Sequence, residues 1–215
     1  MMEEWFIRKV VIGSIVLVFI AFSFVLYQNN QAPKASDVIN STEDWTKQPN
    51  DVLIIENMDG EWITFFRDSK TMYVGFLQQN WLGQWTLVDS LGNEGAIGEV
   101  TFNPNPEERD GLVWGASGLS KGSEQLFSYY YGVVSNSEID KITLSIGKKE
   151  PENISFIEGD GERFFFVKKE SESTVPFELK ALSDGEIIAQ ESWRILSVME
   201  QTVALVEKAI ENKYK

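Results

Sequence analysis

Two short motifs carry residue types used in nucleophilic catalysis. Gly118-Leu119-Ser120-Lys121-Gly122 has the G-x-S-x-G spacing of a nucleophile elbow. There a serine on a strained strand-to-helix turn gives its proton to a histidine. Ser145-Ile146-Gly147-Lys148 has the S-x-x-K spacing of the penicillin-recognising enzymes, whose lysine must lie one helical turn from the serine and on the same face. The chain has no histidine and no cysteine, so no Ser-His-Asp triad forms at Ser120. Its flanks read as strand and loop, without a following helix. The second motif straddles a strand end and a turn, and its S-D-N and K-T-G companions are missing. Both serines are expected to be structural, and the chain is expected to be a non-enzyme without a cofactor.

Carboxylates are the remaining catalytic or metal-binding groups. Glu158, Asp160 and Glu162 surround two glycines, and Glu107, Glu108 and Asp110 cluster in a proline loop. Oxygen ligands on a bendable loop suit calcium, but neither segment has the spacing of a calcium loop, and both read as solvated turns. A glycosidase needs two carboxylates facing across a cleft, and sequence alone selects no such pair. Zinc is disfavoured without histidine or cysteine.

Tryptophan is the most suggestive residue for binding. Of seven, Trp62, Trp81, Trp85 and Trp114 fall in the β-like region. Buried, they fill a core; exposed, they stack on sugars or anchor a partner. Trp81-Leu82-Gly83-Gln84-Trp85 places two indoles around a turn, and turns lie at the surface. At least one of these two is therefore expected to be exposed, and Trp81 and Trp85 are the candidate binding surface.

The formal net charge of −14 falls on the part beyond residue 27, since Glu3 and Glu4 balance Arg8 and Lys9. Such a body repels phosphate backbones and anionic headgroups, so nucleic acid is excluded as a partner. Cations, basic peptides and cationic polymers are compatible. Apolar residues make up 43% of the chain, enough for a core and too many for a disordered protein. An exported domain without disulfides points to a bacterial envelope, Gram-positive in particular. The lack of cysteine also rules out a lipoprotein signal.

The elements that must position these residues begin with an anchor. Val10 to Tyr27 contains no charge and as a helix spans about 27 Å, close to a bilayer core. Arg8 and Lys9 precede it, so residues 1–9 are expected in the cytoplasm and the body outside. Trp5 and Tyr27 flank the run at the two interfaces. The rival is a cleaved signal peptide, but its small residues, Ala21 and Ser23, lie inside the apolar run. Residues 28–50 read as a polar linker with a short helix near Asp37 to Trp45. As a coil it would reach about 25 Å and lift the domain off the headgroups.

From Asp51 onward, short β-like runs alternate with turns. Val52–Glu56, Trp62–Phe66, Met72–Leu77, Trp85–Val88 and Ile97–Phe102 come first. After the proline loop follow Leu112–Ala116, a loop from Gly118 to Ser123, Leu126–Val134, Ile139–Ile146, Ile154–Ile157, Phe164–Lys168 and Phe177–Leu182. Ser183-Asp184-Gly185 is a hairpin signal before Glu186–Ala189. This spacing predicts a mainly β domain over 51–215, an antiparallel β-sandwich or barrel-like fold. Within it, Tyr129-Tyr130-Tyr131 must divide between two faces. Leu196, Met199, Val203, Val206 and Ile210 then recur at helical spacing, giving a C-terminal amphipathic helix over 193–213. Its apolar face is expected on the β body; a partner or a membrane surface is the alternative.

The basic-then-apolar start, the polar stalk, and β segments such as Tyr131-Gly132-Val133-Val134 and Ala181-Leu182-Ser183-Asp184-Gly185 together resemble uncharacterised membrane-tethered extracytoplasmic proteins of Gram-positive bacteria. The resemblance implies a location and no activity. The expected function is a single-pass membrane-anchored extracytoplasmic binding or interaction protein with an envelope protein or cell-wall partner. The alternatives are a carboxylate-dependent cell-wall glycan enzyme and a sensor or regulatory subunit of a membrane complex.

Overall fold

The computed structural model describes residues 2–101, 111–121, 124–159, 161–170 and 176–193. Among them the chain is mainly antiparallel β, with two helices and three sheets. It divides into two compact units, Met1–Pro106 and Glu107–Lys215, where the sequence suggested one body over 51–215. The division falls in the proline-rich stretch, whose prolines cannot donate to a ladder; residues 102–110 lie outside the described residues.

The first unit opens with α1 (Met2–Asn29), a 28-residue helix, and α2 (Ala35–Ser41). Large apolar side chains of α1 from Ile12 to Tyr27, among them Leu17, Phe19 and Phe24, are exposed. Among the described residues no helix is long and apolar enough to cross a membrane; the side chains of residues 1–11 lie outside that description. Two of the last carbonyls of α1, those of Leu26 and Tyr27, are satisfied locally. Asn30 donates its backbone N–H to Tyr27 O at 3.2 Å and its side-chain amide to Leu26 O at 3.0 Å, as a helix end requires.

Five strands follow: β1 (Asp51–Met58), β2 (Glu61–Arg67), β3 (Thr71–Gln79), β4 (Trp85–Val88) and β5 (Gly98–Thr101). They pair in the order β1-β2-β3-β4, and β5 pairs with the other half of the β3 edge. Asp59 and Gly60 join β1 to β2 with φ of 53° and 91°, the left-handed conformation that a tight hairpin requires at both positions.

Within the segment 28–50, expected as a polar linker with a short helix, α2 and Trp45 pack on the first unit. Val38 of α2 is fully buried against a core that includes Phe66, Leu77 and Leu87. Ser41 Oγ accepts the Leu87 N–H at 3.1 Å. Trp45 lies 5.9 Å from the Phe66 ring and 5.4 Å from the Tyr73 ring. Two apolar residues in a polar stretch are enough to dock it, because each gains by leaving water.

The second unit has β6 (Leu112–Lys121), β7 (Glu124–Val134), β8 (Lys141–Ile146), β9 (Glu152–Ile154), β10 (Ile157–Gly159), β11 (Glu162–Glu170), β12 (Phe177–Ser183) and β13 (Glu186–Trp193). One sheet runs β10-β11-β7-β6 and the other β13-β12-β8-β9. Both contribute to one core: Leu112, Tyr130 and Phe165 from the first, and Ile142, Leu144, Phe177 and Leu179 from the second. Asp184 and Gly185 make the hairpin turn with φ of 51° and 85°. Arg163 fixes the 135–140 connection by donating to Asn136 O at 2.7 Å and to Ile139 O.

Two local expectations change here, and the division of the three tyrosines between two faces is met. Gly118 to Lys121 continues β6 instead of looping, because β7 supplies partners (Gly118 opposite Ser128, Ser120 opposite Gln125). The expected strand Ile154–Ile157 is broken at Ser155-Phe156, leaving β9 and β10 in different sheets. All three tyrosines are buried: Tyr130 faces the shared core, and Tyr129, on the opposite face, lies beside the rings of Phe127 and Phe166. The predicted C-terminal helix falls almost wholly in residues 194–215, outside the described residues; Trp193 itself ends β13 opposite Phe177.

Candidate functional site

Asn80 builds the turn that carries Trp81. Its Oδ1 accepts the N–H groups of Leu82 and Gln84 at 2.9 and 3.0 Å, and its own N–H donates to Gln84 O at 2.8 Å. Gln79 Nε2 donates to Gly83 O at 3.1 Å. The turn pushes Trp81 and Leu82 outward, 77% and 43% exposed. The expectation that one of the two indoles is exposed is met by Trp81. Trp85 behaves differently. It is half-buried, its ring lies edge-on to Trp62 at 6.1 Å, and its Nε1–H donates to Gln31 O at 3.0 Å. The two tryptophans therefore do not form one stacking platform.

A second feature of the same unit was not singled out from sequence. A cleft of about 630 Å³ is lined by Asp44, Trp45, Lys47, Tyr73, Gly98 and Glu99, among others. The docked segment after α2 supplies one wall, and β3 with the approach to β5 supplies the other. Its floor is aromatic: Trp45 stands edge-on to Tyr73, which stacks on Phe66 at 5.3 Å and 18°. Its rim is charged, with Asp44, Lys47 and Glu99 exposed. Such a site offers an apolar ring face together with carboxylate acceptors and an ammonium donor. The only sequence signal was Asp44-Trp45-Thr46-Lys47, a tryptophan between opposite charges in a stretch otherwise read as a tether.

Behind the floor, Asp68 organises the β2–β3 turn. Its Oδ1 accepts the N–H groups of Lys70 and Thr71, both at 2.7 Å, and its Oδ2 accepts the Tyr73 hydroxyl at 3.2 Å. Burial pushes its carboxyl up, but these bonds and the Lys47 charge outweigh burial and hold it below the usual aspartate value. Tyr73 is shifted upward by burial first, with the Asp68 and Glu99 charges adding to it. A depressed folded-state value means that Asp68 stabilises above the unfolded-state pKa of about 4, and that this is lost as pH falls through the lower folded value. Asp68→Asn should therefore lower the urea midpoint at pH 7, and its deficit should shrink as pH drops from 5 towards 2. A deficit independent of pH would mean that the carboxylate charge contributes nothing.

Of the serine motifs, Ser145 lies on β8 and its hydroxyl donates to Lys149 O at 2.9 Å. Lys148 follows in the turn, so the helical spacing that S-x-x-K chemistry needs is not present. Ser120 lies on β6 at a register slip; its side chain, Asp160 and the cluster Glu107, Glu108 and Asp110 lie outside the described residues. Among the described residues no group of three or more carboxylates converges to hold a metal ion. No known family model, curated protein or solved structure matches the chain.

Proposed function

We propose that this chain is a single-pass membrane-anchored extracytoplasmic binding protein of the cell envelope. In this reading residues 1–9 are cytoplasmic and both units lie outside. The observation that carries it is α1, whose described side chains from Ile12 to Tyr27 are mostly apolar and exposed, running directly into an acidic folded body. An apolar surface of that size finds its partner in lipid. The second unit reads as a β-sandwich, and the predicted tail helix over 193–213 belongs to this proposal as a cover for the β body.

The ligand site in this reading is the cleft floored by Trp45 and Tyr73, and the ligand is a saccharide of the cell wall. An indole face suits the apolar side of a sugar ring, and Asp44 and Glu99 suit its hydroxyls. Titrating the full chain in detergent with cell-wall glycan oligosaccharides should change tryptophan emission. Trp45→Ala should weaken binding about tenfold or more, a loss of roughly 1.4 kcal/mol. Absence of binding at millimolar glycan rejects the ligand assignment. Asp44 and Glu99 in one cleft also favour a second reading, a carboxylate-dependent glycan hydrolase. Glu99→Gln separates the two, since a binding protein keeps its function with the neutral isostere and the hydrolase loses turnover.

A further inference from the structure

We propose that the Trp81-Leu82 turn is a second membrane contact, seated in the headgroup interface beside the outer end of α1. This rests on the reading of α1 as the anchor. Three observations support it.

The first is exposure. Trp81, at 77%, is more exposed than any large apolar side chain described in α1, and Leu82 beside it is 43% exposed. The turn is braced by Asn80 and Gln79, so both side chains are presented from a fixed backbone. An indole with an apolar body and one N–H prefers the boundary between hydrocarbon and water.

The second is position. Trp85 Nε1–H is bonded to Gln31 O, and Gln31 lies two residues beyond the end of α1 at Asn29. Two residues reach at most about 7 Å. The headgroup layer is roughly 5–8 Å thick on each side of the hydrocarbon core. The start of β4 is thus held within, or just above, that layer, and Trp81 is four residues before Trp85. The coil that would have lifted the body away is taken up by this bond and by the docking of α2.

The third is charge. From Thr71 to Val88 there is no charged residue, in a chain of which 24% is charged. Other hairpin turns carry charge: Asp59-Gly60-Glu61, Asp68-Ser69-Lys70, Asp184-Gly185-Glu186. Of these described hairpin turns, the one that follows β3 carries no charge, with Gln78, Gln79, Asn80 and Gln84 as its polar residues. Neutral amides and aromatics are tolerated at the interface, whereas carboxylates would be repelled by anionic headgroups. The net charge of −14 makes this contact apolar and not electrostatic.

The test uses the full chain in phosphatidylcholine vesicles with bromine high on the acyl chains, which quenches indoles at the interface. Subtracting the Trp81→Phe emission isolates Trp81, and subtracting Trp5→Phe isolates Trp5 of the anchor. The expected result is strong bromolipid quenching of the Trp81 component, with little quenching by aqueous iodide. Quenching of Trp5 but not of Trp81 overturns the proposal and leaves the anchor standing. Quenching of neither rejects the anchor itself. Leu82→Asp, exposed and so harmless to folding, should lower bromolipid quenching of Trp81 while keeping the wild-type unfolding midpoint; unchanged quenching would also overturn the proposal.

Discussion

Gly132→Ala should be among the most damaging single-methyl additions in this protein, costing about 3 kcal/mol, the upper range for overpacking a core. A Cβ built on Gly132 would lie 2.3 Å from the carbonyl oxygen of Val113 and 2.6 and 2.8 Å from two ring atoms of Phe165. Gly132 is in β7, paired with Trp114 of β6 on one side and Phe165 of β11 on the other. The Val113 oxygen belongs to a backbone fixed by that pairing. The Phe165 ring is fully buried in the shared core. Neither can withdraw without breaking a ladder or displacing packed neighbours. Gly75→Ala supplies the contrast. Its nearest contacts are Leu87 Cδ1 at 2.6 Å and Cγ at 3.3 Å, side-chain atoms of a buried leucine, so relief needs Leu87 to repack in its core but leaves the backbone in place, and should cost about 1–2 kcal/mol. Urea unfolding of the full chain in detergent, followed by near-ultraviolet circular dichroism, measures both. Equal costs would show that backbone crowding is not what makes Gly132 special.

The sequence exposes those parts of the fold that depend on neighbours in the chain. Asp59-Gly60 and Asp184-Gly185 announce their hairpins because a tight turn needs positive φ at consecutive positions. The alternation in Ile142-Thr143-Leu144-Ser145-Ile146 marks a strand with one face on a core. Failures occur where a partner far along the chain decides. Gly118-Leu119-Ser120-Lys121 has loop-like composition, yet β7 offers a full set of ladder partners and the strand continues. Ser155-Phe156 looks like the middle of one strand, but the two sheets of the unit draw its halves apart.

The same distinction holds for the candidate sites. Exposure of Trp81 follows from its own turn and is legible. The burial of Trp85 depends on Trp62 and Gln31 and is not. The Trp45 cleft is assembled from α2's flank, β3 and the approach to β5, three segments brought together only by the sheet. No local pattern ties Asp44 to Glu99.

Val38→Asp should unfold the docking of α2 and lower the stability of the first unit by about 3 kcal/mol or more, since it removes a buried aliphatic and puts a carboxylate in its place. Val38 is 0% exposed, and its neighbours Phe66, Leu77 and Leu87 offer no donor for the new charge. The cost would spread beyond α2. Ser41 would cease to cap the Leu87 N–H, and Trp45 would leave the rings of Phe66 and Tyr73. The variant should therefore show long-wavelength tryptophan emission from Trp45 at denaturant concentrations that leave the wild type folded. Val38→Ala should show the same change at smaller amplitude. Ile39→Asp is the control on the same short helix: its side chain is exposed, so its midpoint should stay within about 0.5 kcal/mol of wild type. If Val38→Asp matched Ile39→Asp, residues 28–50 would be a tether after all. The body would then be free to move away from the bilayer, and both the cleft wall at Trp45 and the membrane seat of Trp81 would lose their support.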